Sequence, residues 1–462
     1  MSSAIPWAQA RPYADLTGPK GWPLVGMAPA FVRNPFGYVD EVRAFGTMVR
    51  VPFAGRHLLY LFDPDALSIV LGPKHRDFPK GEFAARGARV FGEGLLLSHG
   101  DHWHRQRRRM APAFHRQVLM GFSATMEDII DDHLDAWGPT PGTLAVEQEM
   151  MRLTLEVAVR TLFGTSTPRA EKDRVAKAFS VISAHFASIE GVVLQLPDWL
   201  PTPSNRRFDR AMDELDTVVQ RIIDDRRASK DRGRDLLGRL LDGQDDDGQG
   251  MTDVQLRDEV RTLLLAGHET TAIGLTCGLW ALSDPTLRMP DQASVQDAIA
   301  QQIHGVTGGG PLRAEHLPQL PLLEAAWKET LRLYPPAPAF FRETGEDTVL
   351  QGFQVPKGST MVIPIWQLQR EARWYTQPLE FDVQRWLDPD VVAARPKHAW
   401  MPFGAGPRIC IGASLAMTEG QLALGEILRR YTLSRAPGAE LSLVPAVTLR
   451  ANAPVLLRFV AR

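Results

Sequence analysis

Residues 403–412 read FGAGPRICIG: an aromatic residue, glycines at 404 and 406, then Arg408, Cys410 and Gly412. Gly404 and Gly406 permit positive φ and let the backbone run close against a flat neighbour. From Ile411 through Leu428 the apolar spacing is helical, so the free N–H groups of that helix's first turn are expected beside the cysteine sulfur, where they favour a thiolate. An isolated cysteine is most often a small buried hydrophobe, and that reading competes here. Taken alone, the cysteine favours that reading.

The run resembles the haem-thiolate loop of the cytochromes P-450. The resemblance implies haem b (iron protoporphyrin IX) as cofactor, with Cys410 on the iron and Phe403, Gly404, Arg408 and Gly412 around it, Phe403 covering the proximal side. As established for that class, an axial thiolate pushes electron density toward O–O cleavage. The implied fold is mainly α with a smaller β region, one large haem domain over 1–462 with a long central helix. Its β-rich part is expected near 45–65, 340–370 and 440–462, and its helical body near 100–335 and 410–431.

The pattern along the chain agrees with that class. Met48 to Phe53 and His57 to Phe62 read as a hairpin across a short loop, Ala54 to Arg56. Amphipathic helical spacing covers Met126–Trp137, Met150–Phe163, Glu171–Ile189 and Asp209–Arg227. The segment from Leu237 to Gly250, ending in the polar run GQDDDGQG, reads as an exposed loop whose aspartates do not fit a calcium loop. Thr252 and Asp253 offer an N-cap to a helix over Val254–Leu282, about 40 Å long at ~1.5 Å per residue. It is apolar on nearly every side from Thr262, so it is expected to cross the core. Thr360–Ile365 and Val455–Val460 read as strands.

That helix carries AGHETT, Ala266 to Thr271. A threonine hydroxyl bonds readily to the carbonyl four residues back, here Thr270 to Ala266, and so bends or opens a helix. The family resemblance assigns Glu269 as the acid and Thr270 as the alcohol of oxygen activation, beside Ala266 on the cofactor. A zinc helix is excluded because Ala272 stands where a second histidine is needed. Trp103 and Arg107, four apart on one helical face, are implied by the resemblance to contact the haem propionates together with Arg342 and Arg408. Glu329 and Arg332 form with Arg385 the family's structural triad. Val383 departs from the proline common before that arginine, and Gln369 stands where histidine is frequent, with no functional consequence assigned to it.

Arg105, Arg107, Arg108 and Arg109 form the densest basic cluster, read either as a solvated helix face or as a docking patch for an acidic electron donor. The family's pocket walls correspond to Phe83–Leu97, Phe179–Leu196, Leu263–Ala266, Ala337–Phe340 and Pro445–Thr448. Their apolar, aromatic composition implies a small lipophilic substrate: a fatty acid, terpenoid or steroid-like molecule. Arg86 or Arg89 could anchor a carboxylate or simply face solvent.

Of the 462 residues 44% are hydrophobic and 23% charged, and the formal net charge is −2, which gives no global attraction to nucleic acid. Two cysteines exclude a disulfide framework and suit a reducing cytoplasm. No run reaches the roughly 18–20 apolar residues of a membrane span, and the N-terminus has no secretory pattern, so no integral anchor is expected. GPKGWPLVG, 18–26, resembles the proline-rich segment that follows the anchor in membrane-bound family members. No Gly-x-Gly-x-x-Gly stands between a strand and a helix, so electrons are expected from a ferredoxin or flavodoxin with its reductase. A monomer is the default. The reading is a monooxygenase using O2. A peroxide-driven peroxygenase of the same fold is the alternative, opposed by the intact Glu269 and Thr270, and a haem-binding sensor is a non-enzymatic one.

Overall fold

The computed structural model describes residues 5–82, 87–165, 168–187, 199–229, 233, 235–242 and 250–462. Its organising element is the 30-residue helix Asp253–Leu282. Thr252 opens it with a reciprocal cap: its Oγ1 accepts from Gln255 N at 3.2 Å, and its own N–H donates to Gln255 Oε1 at 3.0 Å. The helix packs most extensively against Val146–Phe163, and also against Pro203–Ala228, Pro321–Leu333 and Ala413–Arg430. Nearly all of it beyond Leu256 is buried, as an apolar circumference requires.

The amphipathic stretches form the helices Arg116–Asp135, Val146–Phe163, Arg169–Ala187 and Pro203–Ala228. The segment expected as an exposed loop from Leu237 begins instead as the helix Leu236–Asp242, because Leu236, Leu237 and Leu240 pack into the helical core; its run 243–249 and the wall residues 83–86 and 188–198 lie outside the described residues.

A four-stranded sheet has the order Met48–Phe53, Arg56–Leu61, Thr360–Ile363, Phe340–Glu343, parallel only between the middle pair. The hairpin pairs Phe53 with Arg56, so its loop is two residues, Ala54 and Gly55, one fewer than the sequence suggests. Both have positive φ, 47° and 77°, the handedness that matches strand twist. A second sheet joins Gly142–Ala145, Leu456–Ala461 and Tyr431–Arg435. Thr360–Ile363 stops two residues early because Pro364 starts the short helix Ile365–Leu368. The core accordingly divides into a large helical cluster and a smaller one beneath the four-stranded sheet. The molecule is mainly helical with small sheets.

Candidate active site

The loop before Cys410 needs its glycines. Gly404 and Gly406 have φ of 75° and 69°, and a Cβ on Gly406 would lie 1.7 Å from Leu71 O. Cys410 N donates to Phe403 O at 2.8 Å, closing the loop. The following helix, Ala413–Arg430, begins three residues beyond the cysteine with Gly412 as its N-cap. Cys410 has accessible surface, yet the surrounding protein raises its thiol pKa. Hydrogen bonding from the Gly412 backbone and the charge of Arg107 pull the other way and favour the thiolate. Arg107 donates to Ile409 O at 2.8 Å, which places it against the cysteine loop.

In the central helix the Thr270 hydroxyl donates to Ala266 O at 2.8 Å, the bond the sequence suggests. The helix nevertheless continues through this turn, so the expected opening is absent: one hydroxyl shares the carbonyl without displacing the ladder. Ala266 is exposed and Thr270 half-exposed within an otherwise buried helix, so one face at this turn borders open space. Glu269 points elsewhere. Buried, it accepts from Ser183 Oγ at 3.4 Å, and desolvation pushes its carboxyl up to about 8 against the influence of Thr448, Ser183 and Arg450. At neutral pH it holds a proton. One residue on, Thr271 hydrogen-bonds Glu419 of the helix that follows Cys410, joining the two elements of the site.

The remaining predicted residues converge from other elements. Trp103 is buried, the Arg408 guanidinium carbon lies 4.3 Å from its ring centroid, and Arg408 Nη1 donates to Ser98 O at 2.8 Å. Arg342 is buried with Nη1 on Phe341 O at 2.7 Å. Lys80, which the sequence reading missed, donates to Leu96 O and feels both arginines. Burial pushes Arg342 and Arg408 down to about 10, Arg408 further repelled by Arg342 and Arg107. Burial and the same two arginines hold Lys80 well below the usual lysine range.

Among the described residues none of these three cations has a carboxylate partner within salt-bridge distance. One buried cation, Arg342, and two half-buried ones, Lys80 and Arg408, without anions beside them fit a ligand that carries carboxylates. With the thiol and the glycine cradle they match the donor set of haem.

The triad is fully formed. Arg332 Nε and Nη2 grip Glu329 at 2.7 and 2.8 Å, and Arg385 Nε, Asp382 N and Trp386 Nε1 complete the carboxylate's shell at 3.0, 2.9 and 2.8 Å. Val383 is buried at the start of the 3-10 turn Val383–Trp386, where the Asp382 side chain accepts from Gln384 N at 2.9 Å. In the basic cluster only Arg105 and Arg108 are exposed. Arg89 is engaged: Nη2 meets Asp209 at 2.6 Å and its guanidinium covers the Phe208 ring at 4.4 Å, while Arg86 lies outside the described residues.

A family model described as Cytochrome P450 matches residues 16–451. Cyclooctat-9-en-7-ol 5-monooxygenase of Streptomyces melanosporofaciens is 32% identical over 95% of the chain and 93% of its own length. Pentalenene oxygenase of Streptomyces avermitilis is 33% identical over 96% and 97%. Among solved structures, retinoic acid bound cyanobacterial CYP120A1 superposes with a TM-score of 0.83 at 24% identity, covering 97% of this chain and 100% of that one.

Proposed function

Because the chain belongs to the cytochrome P450 family of haem-thiolate monooxygenases, we propose that it hydroxylates or epoxidises a terpenoid hydrocarbon or alcohol. One oxygen atom of O2 enters the substrate, and the other leaves as water after uptake of two electrons and two protons. The observation that carries the substrate class is the near full-length similarity to two oxygenases named for cyclooctat-9-en-7-ol and pentalenene. The commitment of Arg89 to Asp209 supports it, because that residue is then not available to a fatty-acid carboxylate. Leu96, Ala266 and Val447, from three of the proposed wall segments, keep accessible apolar surface.

Haem, when bound, supplies the reduction and splitting of O2. Cys410 is the proposed iron ligand, with Phe403, Gly404 and Gly412 around it. Trp103, Arg342, Arg408 and Lys80 hold the cofactor's carboxylates, and Arg107 steadies the cysteine loop. The Thr270 hydroxyl orders a proton donor at the accessible turn of the central helix, and neutral Glu269 stores the proton. Electrons come from a ferredoxin or flavodoxin with its reductase, docking on Arg105 and Arg108, and the enzyme works as a monomer in the cytoplasm. No helix among the described residues is long and apolar enough to cross a membrane.

Optical titration of the ferric protein with cyclic terpenes, fatty acids and steroids tests the substrate class. A low-to-high-spin shift with terpenes is expected. A shift confined to fatty acids would overturn the proposal.

A further inference from the structure

Gln369 is wholly buried and makes three side-chain hydrogen bonds, all to backbone. Its amide nitrogen donates to Leu331 O at 2.8 Å and Arg332 O at 3.0 Å, two carbonyls in the last turn of Pro321–Leu333 that have no partner further along the helix. Its Oε1 accepts from Met401 N at 2.8 Å. Met401 O in turn accepts from Gly404 N at 3.0 Å, and Phe403 O from Cys410 N at 2.8 Å. One amide thus links the helix that carries Glu329 and Arg332 to the start of the cysteine loop. Arg332 Nη1 locks the same residue from behind by donating to Gln369 O at 2.9 Å.

We propose that Gln369 is a positioning residue that holds the Cys410 loop in its iron-binding geometry, and that its side chain makes this hold independent of pH. The inference rests on Cys410 as the iron ligand. A primary amide offers two donors and an acceptor at once and does not titrate. An imidazole in its place can accept from Met401 N only when neutral. Protonated, both its nitrogens donate, and one would oppose the Met401 N–H. The charged groups around the position are Arg332 and its partner Glu329, Arg370, which donates to Trp366 O and Leu333 O, and Glu371, bound to Arg43. None of them donates to or accepts from the Gln369 amide, so they do not substitute for it.

The experiment compares holoenzyme carrying Gln369, Gln369→His and Gln369→Leu. It reads the ferrous carbonyl Soret band, which separates thiolate-ligated from thiol-ligated haem, from about pH 8 to about pH 5, with thermal melts as a check of folding. The wild type should keep the thiolate form throughout. Gln369→His should match it at the alkaline end and pass reversibly to the thiol form on acidification, with at least about a tenfold change in the ratio of the two, the scale of one buried hydrogen bond. Gln369→Leu should show the thiol form at every pH. If that variant fails to fold, the reversible transition of Gln369→His decides alone. A histidine variant as insensitive to pH as the wild type, or a leucine variant with an intact thiolate band, would overturn the inference. A wild type without the thiolate band would instead overturn the assignment of Cys410 on which it rests.

Discussion

Arg408 stacks its guanidinium on the indole of Trp103 while donating to Ser98 O, so one side chain joins the cysteine loop, the helix Gly100–Met110 and the segment before it. Cation–π contact and a charged hydrogen bond are together worth about 2–4 kcal/mol in a buried setting. Arg408→Ala should therefore lose haem at least about tenfold faster than the wild type, measured by transfer to an acceptor apoprotein. Trp103→Phe should be milder, because it keeps a ring face under the cation.

Glu329 binds Arg332 at 2.7 Å and Arg385 at 3.0 Å, while Asp382 stands 3.9 Å from Arg385, and Glu329, Arg332 and Arg385 are all buried. Removing it strands two cations in the interior. Glu329→Ala should cost about 3–5 kcal/mol, read as a fall in the midpoint of denaturant unfolding. Arg332→Lys should also fail to restore full stability, since an ammonium cannot reach Glu329, Gln369 O, Pro378 O and Glu380 O together.

Thr270→Ala removes the hydroxyl without disturbing a helix that is continuous through this turn. Its melting temperature should stay within a few degrees of wild type, while electron consumption separates from product formation. Parallel measurement of reductant oxidised, peroxide released and product formed checks this. Unchanged coupling would remove Thr270 from the proton path.

Glu419 is buried against Thr271, and burial pushes its carboxyl up to about 8. The native state thus keeps a proton that the unfolded chain, with its carboxyl near 4.5, releases earlier. The resulting stability is fully present below about pH 4.5 and is lost as pH rises through about 8. Glu419→Gln, which cannot ionise, should lack this loss: the stability difference between variant and wild type should grow in the variant's favour from pH 5 to pH 8, followed by calorimetry. Comparison with the variant also separates the effect from His268, whose depressed pKa of about 4 acts in the opposite direction at lower pH.

Much of this architecture is legible in the sequence because the relevant signals are local. The cap Thr252, the all-round apolar surface after Thr262, and the paired glycines before Cys410 each specify their own conformation. What escapes a linear reading is partnership over distance. Nothing near Gln369 announces Met401, 32 positions on, and Lys80 gains meaning only once Arg342 and Arg408 fold against it. Arg89 has no readable role from its neighbours in the sequence because its partner, Asp209, sits on a separate helix. Glu269 and Thr270 are adjacent in sequence, yet the helical turn sends one side chain toward Ser183 and leaves the other half-exposed.

The crowding of Lys80, Arg342 and Arg408 also bears on how the protein fares in a cell. Three mutually repelling cations oppose compaction until a carboxylate-bearing cofactor arrives, and a ligand that binds only the folded form stabilises it by mass action. Chains made during cofactor shortage would spend more time open to proteases. The steady-state amount of this enzyme would then follow porphyrin and iron supply even at constant synthesis.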